Sequence, residues 1–387
     1  MTALLAHFAS LLRNAPTRAA AFIFFVNGFV FANWVVRIPS VKAELAIREG
    51  TLGLALLFMA IGAIITMPLG GALVARIGSA RVAIGTGLAY SLLYWMPGAA
   101  TSAIWLGAAL FVVGACNGMM DVAMNAQADA VERATGLRLM SFCHAMFSLG
   151  LAGGTIPAGI LAAQGVDPGL HLFIVGAPMA LGLLIVARRT VADAPSDAPD
   201  APAFAWPRGP LLALGLICFC GAIAEGSMND WITVYVQSSL GFGAATAAVV
   251  FGAFSLAMLV ARLLGDVVTD RLGSVLAVRG GLLLAALGVA GAMTGWLPAV
   301  IIGFAAVGLG VAGVFPAVFR AAGRMPGHPP GPSMAAAVTL GYAGFLFGPP
   351  LIGFVAEASD LGLALGVIIP LCLIGAALAG ALRVADA

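Results

Sequence analysis

Apolar runs of about 20 residues follow one another along almost the whole chain, separated by short stretches with charged residues, glycine or proline. A run of this length can cross the hydrocarbon core of a bilayer as a helix. We number the predicted spans 1 to 12 in chain order, and they cover residues 18–38, 51–75, 80–97, 102–128, 139–163, 170–188, 209–237, 243–265, 275–296, 298–322, 333–356 and 362–382. The pattern predicts an all-α membrane protein with twelve transmembrane helices.

The longest polar interruption lies between spans 6 and 7, at residues 190–208. It contains aspartates among many alanines and prolines, a composition that buries too little apolar surface to fold by itself. We interpret it as a cytoplasmic linker. It joins an amino-terminal bundle, residues 1–189, to a carboxy-terminal bundle, residues 209–387, and each bundle contains six predicted helices.

The two bundles share a repeated sequence pattern. Trp34 recurs as Trp231, 197 positions later, and Arg-Ile-Gly at 76–78 recurs as Arg-Leu-Gly at 271–273, 195 positions later. Two nearly equal offsets indicate an internal duplication, so we expect pseudo-symmetric halves. In membrane transporters with parallel repeats, the substrate site lies near the middle of the membrane.

Composition excludes several classes of function. With 62% hydrophobic and 9% charged residues, and a mean hydropathy of +1.08, the chain is far too apolar for a soluble enzyme. Its net charge of +2 and its single lysine give no basic surface for nucleic acid. The five cysteines lack CxxC spacing and the four histidines are dispersed, so we expect neither a metal nor a cofactor.

Basic residues are distributed unevenly between the loops. If the amino terminus is cytoplasmic, only Arg37, Lys42 and Arg48 fall outside, among 18 lysines and arginines. This asymmetry predicts a multi-pass protein of a bacterial-type inner membrane with both termini in the cytoplasm.

A polar ladder interrupts span 4. Asn117, Asp121 and Asn125 recur at four-residue intervals and share one face of a helix. An aspartate at this depth costs about 2.5 to 3.5 kcal/mol on insertion scales, whereas a hydrogen bond between membrane helices returns about 0.6 kcal/mol on average. Packing alone explains the aspartate poorly, and we interpret the ladder as part of a solute or proton path. The alternative is a buried carboxyl group that neighbouring helices satisfy.

The loop after span 2, residues 71–81, reads GALVARIGSAR. It resembles the loop motif GxLaDRxGrkR of the major facilitator superfamily, and DVVTDRLG at 266–273 resembles its second copy. The resemblance covers essentially the whole chain through the helix count, the repeat and the linker. Ala75 stands where the motif carries an aspartate that latches the cytoplasmic side, whereas Asp270 keeps that aspartate in the second copy. A generic positively charged turn is the alternative for either copy alone.

Charged residues continue this pattern at the cytoplasmic end of span 8. Arg262, Asp266 and Asp270 follow one another at four-residue spacing. A latch between the halves or a plain solvated face would produce the same spacing, and we favour the latch. The residues that we assign to gating are Arg76, Arg81, Arg262, Asp266, Asp270 and Arg271.

The superfamily resemblance implies that spans 1, 4, 7 and 10 line a central cavity. Polar residues independently favour three of these spans, since span 1 carries two asparagines, span 4 carries the ladder, and span 7 carries Glu225 and its polar neighbours. The ladder and residues 225–231 are similar to the bacterial inner-membrane branch related to fucose-type sugar permeases. The predicted solute-binding residues are Asn27, Asn33, Trp34, Asn117, Asp121, Asn125, His144, Asn229, Asp230 and Trp231.

Three of these residues have alternative interpretations. Trp34 and Trp231 occupy matching outer positions, where aromatic residues at the membrane interface and a stacking platform for a sugar both fit. His144, at the start of span 5, fits a packing residue held by hydrogen bonds as well as a site residue.

Together these observations predict a secondary active transporter that moves a small polar solute, sugar-like in our interpretation, by alternating access. The chain has no GxxxxGK[ST] motif for ATP, so an ion gradient should supply the energy, and a carboxyl in an apolar site suits protons. Glu225, with apolar neighbours in sequence, is the better proton carrier, and Asp121 the better solute ligand. We expect a monomer in the lipid bilayer. The alternative is a membrane-embedded enzyme or a non-transporting sensor.

Overall fold

The computed structural model of the protein describes residues 13–137, 139–192, 208–326 and 330–385. These residues are almost entirely helical and include no strand. The helices are Ala15–Glu44, Glu49–Ile77, Ser79–Leu93, Trp95–Gly98, Ala103–Thr135, Met140–Ala163, Pro168–Ala187, Pro210–Val234, Ala244–Ala292, Leu297–Val311, Val314–Gly323, Pro330–Ala358, Leu361–Gly366 and Ile368–Leu378, with a π turn at Tyr235–Ser239 and a 3₁₀ helix at Ala379–Ala385. The predicted all-α fold is confirmed.

Eleven helices in the described part of the chain are long and apolar enough to cross a membrane. Span 3 is not among these eleven, and its helix is divided at Tyr94 into Ser79–Leu93 and Trp95–Gly98. Hydropathy alone does not register such a division, since the residues on both sides of it are apolar.

Glycines at matching positions of the two halves adopt the same backbone conformation. Gly78 has φ 87° and ψ 151°, and Gly273 has φ 77° and ψ 156°. Positive φ is strained for residues with a Cβ atom, which explains why each copy of the loop motif carries glycine here. The non-helical backbone of Gly273 divides the stretch Ala244–Ala292 into two helices, which correspond to spans 8 and 9. The shared conformation supports the internal duplication.

The chain forms two compact units, and each is described by itself. The first contains the described residues up to Arg37 and those from Phe58 to residue 192; the second contains Ile38–Leu57 and the described residues from 208 onward. Within the second unit, Arg48 forms an ion pair with Glu357 at 3.2 Å. The predicted linker 190–208 lies largely in residues 193–207, outside the described residues, and stays a prediction.

Helix ends next to the polar ladder follow ordinary capping rules. The Ser102 hydroxyl accepts a hydrogen bond from the Trp105 backbone N–H at 3.2 Å and begins the helix Ala103–Thr135. Gly136, with φ 68°, ends that helix in a left-handed conformation. These two signals place Asp121 close to the middle of the helix.

Small residues allow close helix packing in the first unit. A Cβ atom on Gly114 would overlap the carbonyl oxygen of Met59 on the neighbouring helix, and one on Gly28 would overlap the carbonyl oxygen of Phe147. Close approach of backbones at glycine is the usual way in which membrane helices gain van der Waals contact. The ladder helix is therefore held at short range against the helix Glu49–Ile77.

This packing makes a direct prediction. Gly114→Ala should lower the free energy of unfolding by about 1 to 3 kcal/mol, because the new methyl group meets backbone that cannot rotate away. Gly85→Ala is the matched control, since no described atom lies within 4 Å of the corresponding Cβ position. The control should be neutral or stabilising by up to about 1 kcal/mol. Unfolding of the purified protein in detergent measures both, and equal effects would contradict the packing explanation.

Candidate functional site

Asparagines from spans 1 and 4 meet in the first unit. The Asn27 side-chain amide donates a hydrogen bond from Nδ2 to Oδ1 of Asn117 at 2.8 Å and lies 3.5 Å from the Met120 sulfur. Asn27 is 3% exposed and Asn117 is half-buried, so this bond is partly shielded from water. Asn27 and Asn117 were predicted as solute-binding residues independently of each other, and the structure shows that they are hydrogen-bonded. The bond fixes the orientation of the Asn117 amide.

The other two ladder residues contact each other along the helix. Nδ2 of Asn125 donates to the backbone carbonyl of Asp121 at 2.8 Å and approaches the Asp121 carboxylate oxygen Oδ1 at 3.4 Å. Asp121 is half-buried. None of the ion pairs among the described residues involves Asp121. The carboxylate therefore lies inside a membrane helix without a cationic side chain of the described chain beside it.

A buried network lies towards the predicted outer end of the first unit. Nε of Arg37 donates to Nδ1 of His171 at 2.7 Å, and the Nη2 atom of Arg37 donates to the carbonyl of Val166 at 2.6 Å. Because arginine only donates, the His171 proton is on Nε2, which donates to Oδ1 of Asn33 at 2.8 Å. Asn33 also donates to the Phe29 carbonyl at 2.8 Å. Both polar atoms of Asn33 are thus engaged within the unit.

Sequence reasoning missed His171 and the inward direction of Arg37. The bonded residues are separated by 134 and 138 positions, so no local spacing reports their contact. A signal was nevertheless present, since a histidine inside an apolar span needs hydrogen-bond partners.

Trp34 and Trp231 are each fully buried, at 0% exposure. Their indole Nε1 atoms have no hydrogen-bond partner among the described residues. Full burial disagrees with the interfacial interpretation, in which the indole N–H reaches water or headgroups. A role in stacking on a solute stays a prediction.

His144 is half-buried, and its ring packs edge-on against Phe24, with ring centroids 5.2 Å apart. Its backbone carbonyl accepts a hydrogen bond from the Ser148 hydroxyl at 3.4 Å. This aromatic contact between spans 1 and 5 fits the packing interpretation, and a solute contact stays a prediction.

In the second unit, Glu225 is paired with an arginine. Nη2 of Arg262 donates to Oε1 of Glu225 at 3.1 Å, and the side chains of the two residues are 17% and 11% exposed. The apolar setting expected for Glu225 is therefore wrong. Its neighbours in sequence are apolar, but the arginine comes from the next helix, where a long side chain reaches across.

The pair also changes the interpretation of the predicted latch. The Arg262 guanidinium contacts Glu225, and the side chain of Asp266 lies outside what the structure describes. Asp270 is exposed. The remaining residues assigned to gating, Arg76, Arg81 and Arg271, are also exposed. Their gating role stays a prediction.

Two further polar residues of the second unit follow Glu225. Asn229 and Asp230 are half-buried. Oδ1 of Asn229 has no hydrogen-bond partner among the described residues, and none of the ion pairs there includes Asp230. No three metal-binding side chains come together in the part of the chain that the structure describes.

Comparisons with known proteins agree with this architecture. Residues 20–327 match the family model of the Major Facilitator Superfamily. An uncharacterised MFS-type transporter of Yersinia pestis is 37% identical over 377 residues, which are 95% of each chain. The membrane protein MosC of Rhizobium meliloti is 32% identical over 357 residues, which are 91% of this chain and 86% of MosC.

Solved structures show the same fold at low sequence identity. A bacterial homologue of the human lysosomal transporter Spinster, in an inward-facing and unoccupied conformation, has a TM-score of 0.71 at 15% identity and covers 98% of this chain and 97% of its own. A point mutant of the nucleoside transporter NupG has a TM-score of 0.75 at 10% identity over 94% of this chain and 98% of its own. The chain therefore belongs to the Major Facilitator Superfamily, and it is a multi-pass membrane transporter and not an enzyme.

Proposed function

We propose that this transporter moves a small polar solute by alternating access and that protons drive the movement. The observation that carries the proposal is the Asp121 carboxylate, which lies half-buried near the middle of a membrane helix among Asn27, Asn117 and Asn125. Amides and a carboxylate at this depth offer hydrogen bonds that a polar solute needs when it leaves water. In this proposal the cluster is the solute-binding site within the first unit.

Proton coupling takes place, in this proposal, at the ion pair of Glu225 and Arg262. A proton that reaches Glu225 removes the negative charge that attracts the Arg262 guanidinium and so weakens the contact between these two side chains. Protonation is thus linked to a change of contact between the helices Pro210–Val234 and Ala244–Ala292. Such a link is what converts a proton gradient into movement of helices.

The finer assignments rest on the sequence alone and stay proposals. They include a sugar-like solute, a place in the branch related to fucose-type permeases, an inner-membrane location with cytoplasmic termini, and a monomeric state. The two solved neighbours are too distant in sequence to indicate the solute, since low identity with a high TM-score reports the fold.

Transport by purified protein in liposomes tests the proposal. We would first select solutes that raise the unfolding temperature, because a ligand at 100 times its Kd stabilises the protein by about 2.7 kcal/mol. Liposomes loaded with the pH-sensitive dye pyranine should then show a proton movement when a selected solute is added. Protein-free liposomes and a protonophore are the controls.

Counterflow separates transport from the rival function of a sensor. Liposomes loaded with unlabelled solute should take up labelled solute faster than empty ones. Binding without counterflow would contradict transport. Counterflow without any proton movement would keep transport and remove proton coupling.

A further inference from the structure

The chain treats two acidic residues of its membrane helices differently. Glu225 has the guanidinium of Arg262 at 3.1 Å. Asp121 belongs to none of the ion pairs among the described residues. An ionised carboxylate inside a membrane protein needs a partner of opposite charge, and the described residues of the chain supply one to Glu225 alone of these two.

The hydrogen bonding of Asp121 is also incomplete. A carboxylate offers about four acceptor sites, and in the described residues Asp121 receives a side-chain bond only from Asn125, at 3.4 Å. That distance is longer than the usual 2.9 to 3.0 Å of an N–H···O bond, so the contact is weak.

Among the described residues, the ladder amides offer one acceptor end and one donor end. Asn125 directs its Nδ2 to Asp121 and so presents its Oδ1, whereas Asn117 accepts from Asn27 through Oδ1 and so presents its Nδ2. Asn27, which is 3% exposed, is bonded to Asn117 and fixes that amide in place. An ammonium group has three donors and a positive charge, and it complements the Asp121 carboxylate and the Oδ1 of Asn125. A carboxylate or phosphate group would be repelled.

We propose that Asp121 binds the ammonium group of the transported solute, so the solute class is a small organic amine that carries further hydrogen-bonding groups. The inference rests on the proposed transport function and names the solute class of the same site. The amine supplies to Asp121 the counter-ion that Arg262 supplies to Glu225. A proton on Asp121 is the competing occupant, and the test separates the two.

The test measures thermal unfolding of the full-length protein in lipid nanodiscs with probes of similar size that carry an ammonium, a hydroxyl or a carboxylate group. One set is glucosamine, glucose and glucuronate, and the other is 1,4-diaminobutane, 1,4-butanediol and succinate. We expect the ammonium members to raise the unfolding temperature at millimolar concentration and the neutral and anionic members to have less effect. This comparison needs only the wild-type protein, so it stands even if a variant fails to fold.

Variants then locate the effect. Asp121→Asn should lower the apparent affinity for the ammonium probes about ten-fold or more, because a charged hydrogen bond is replaced by a neutral one. Asp129→Asn is the matched control on the same helix, where the carboxylate pairs with Arg133 at an exposed position, and it should leave the affinity unchanged. Asp121→Glu keeps the charge and should keep the preference for ammonium over hydroxyl.

Three results would overturn the inference. They are equal stabilisation by neutral or anionic probes, an ammonium effect that survives unchanged in Asp121→Asn, and no effect of any ammonium probe, which would leave the proton as the occupant. Failure of the proposed function looks different. In that case the ammonium probes bind in nanodiscs, but liposomes show neither counterflow nor proton movement.

Discussion

Replacing Arg262 by glutamine is expected to lower the free energy of unfolding by about 3 to 5 kcal/mol. The substitution leaves the Glu225 carboxylate mostly buried, at 11% side-chain exposure, without the guanidinium that lies 3.1 Å away in the wild type. Removing one partner of a buried pair costs more than the pair contributes, because the remaining charge is desolvated and uncompensated. Reversible unfolding in mixed detergent micelles measures the loss.

A double-mutant cycle separates the pair from its surroundings. The variant with both Glu225→Gln and Arg262→Gln contains two neutral amides that can bond to each other, so it should recover much of the stability lost by Arg262→Gln alone. The matched control is the pair of Arg48 and Glu357, with the same residue types and a 3.2 Å separation but with 80% and 35% side-chain exposure. Its cycle should give a coupling of about 0 to 1 kcal/mol.

Comparing the two coupling energies shows whether the strength of the ion pair between Glu225 and Arg262 comes from its burial or only from the closeness of the charges. Equal coupling energies would show that the membrane-buried pair behaves like a surface pair, and the linkage between protonation and helix contact would lose its physical basis. A double variant as unstable as Arg262→Gln would point to a further partner of Arg262 that the cycle leaves uncompensated.

The fold could be predicted because it depends on local composition. Runs of apolar residues determine where helices cross a membrane, since backbone polar groups must be satisfied within each helix. The glycine in each copy of the loop motif is also a local feature, because Gly78 and Gly273 adopt a positive φ that favours glycine. The division of span 3 at Tyr94 was not predictable, since apolar residues lie on both sides of it.

The sequence suggests candidate site residues one by one, but it does not predict the contacts between them. Four-residue spacing places Arg262 on one face of its own helix with Asp266, and nothing in that spacing reports Glu225, 37 positions earlier on another helix. The same holds for His171 and Arg37, which are 134 positions apart. Helix packing decides which faces meet, and long arginine side chains extend the reach further. A single sequence shows which residues share a helix face, but it does not show which residues of other helices contact that face.

The ion pair of Glu225 and Arg262 also has a predicted role in transport. Glu225→Gln should abolish proton-driven accumulation of solute while it retains solute exchange. Glutamine has the size and the neutral charge of protonated Glu225, so the protein should still fold and exchange solute, but glutamine cannot gain or lose a proton. A gradient of one pH unit supplies about 1.4 kcal/mol per coupled proton, so the variant should lose about ten-fold in accumulation for each proton coupled.

Asp121→Asn should give a different pattern, because it weakens solute binding and therefore reduces accumulation and exchange together. Glu357→Gln is the matched control for the first variant, since it makes the same change at an exposed ion pair and should alter neither measurement. Accumulation under a pH gradient and exchange without one, in the same proteoliposomes, separate the three variants. If Glu225→Gln keeps full proton-driven accumulation, the pair with Arg262 is structural. If Asp121→Asn alone loses accumulation and keeps exchange, the proton travels on Asp121, and its carboxylate then serves the proton and not the solute.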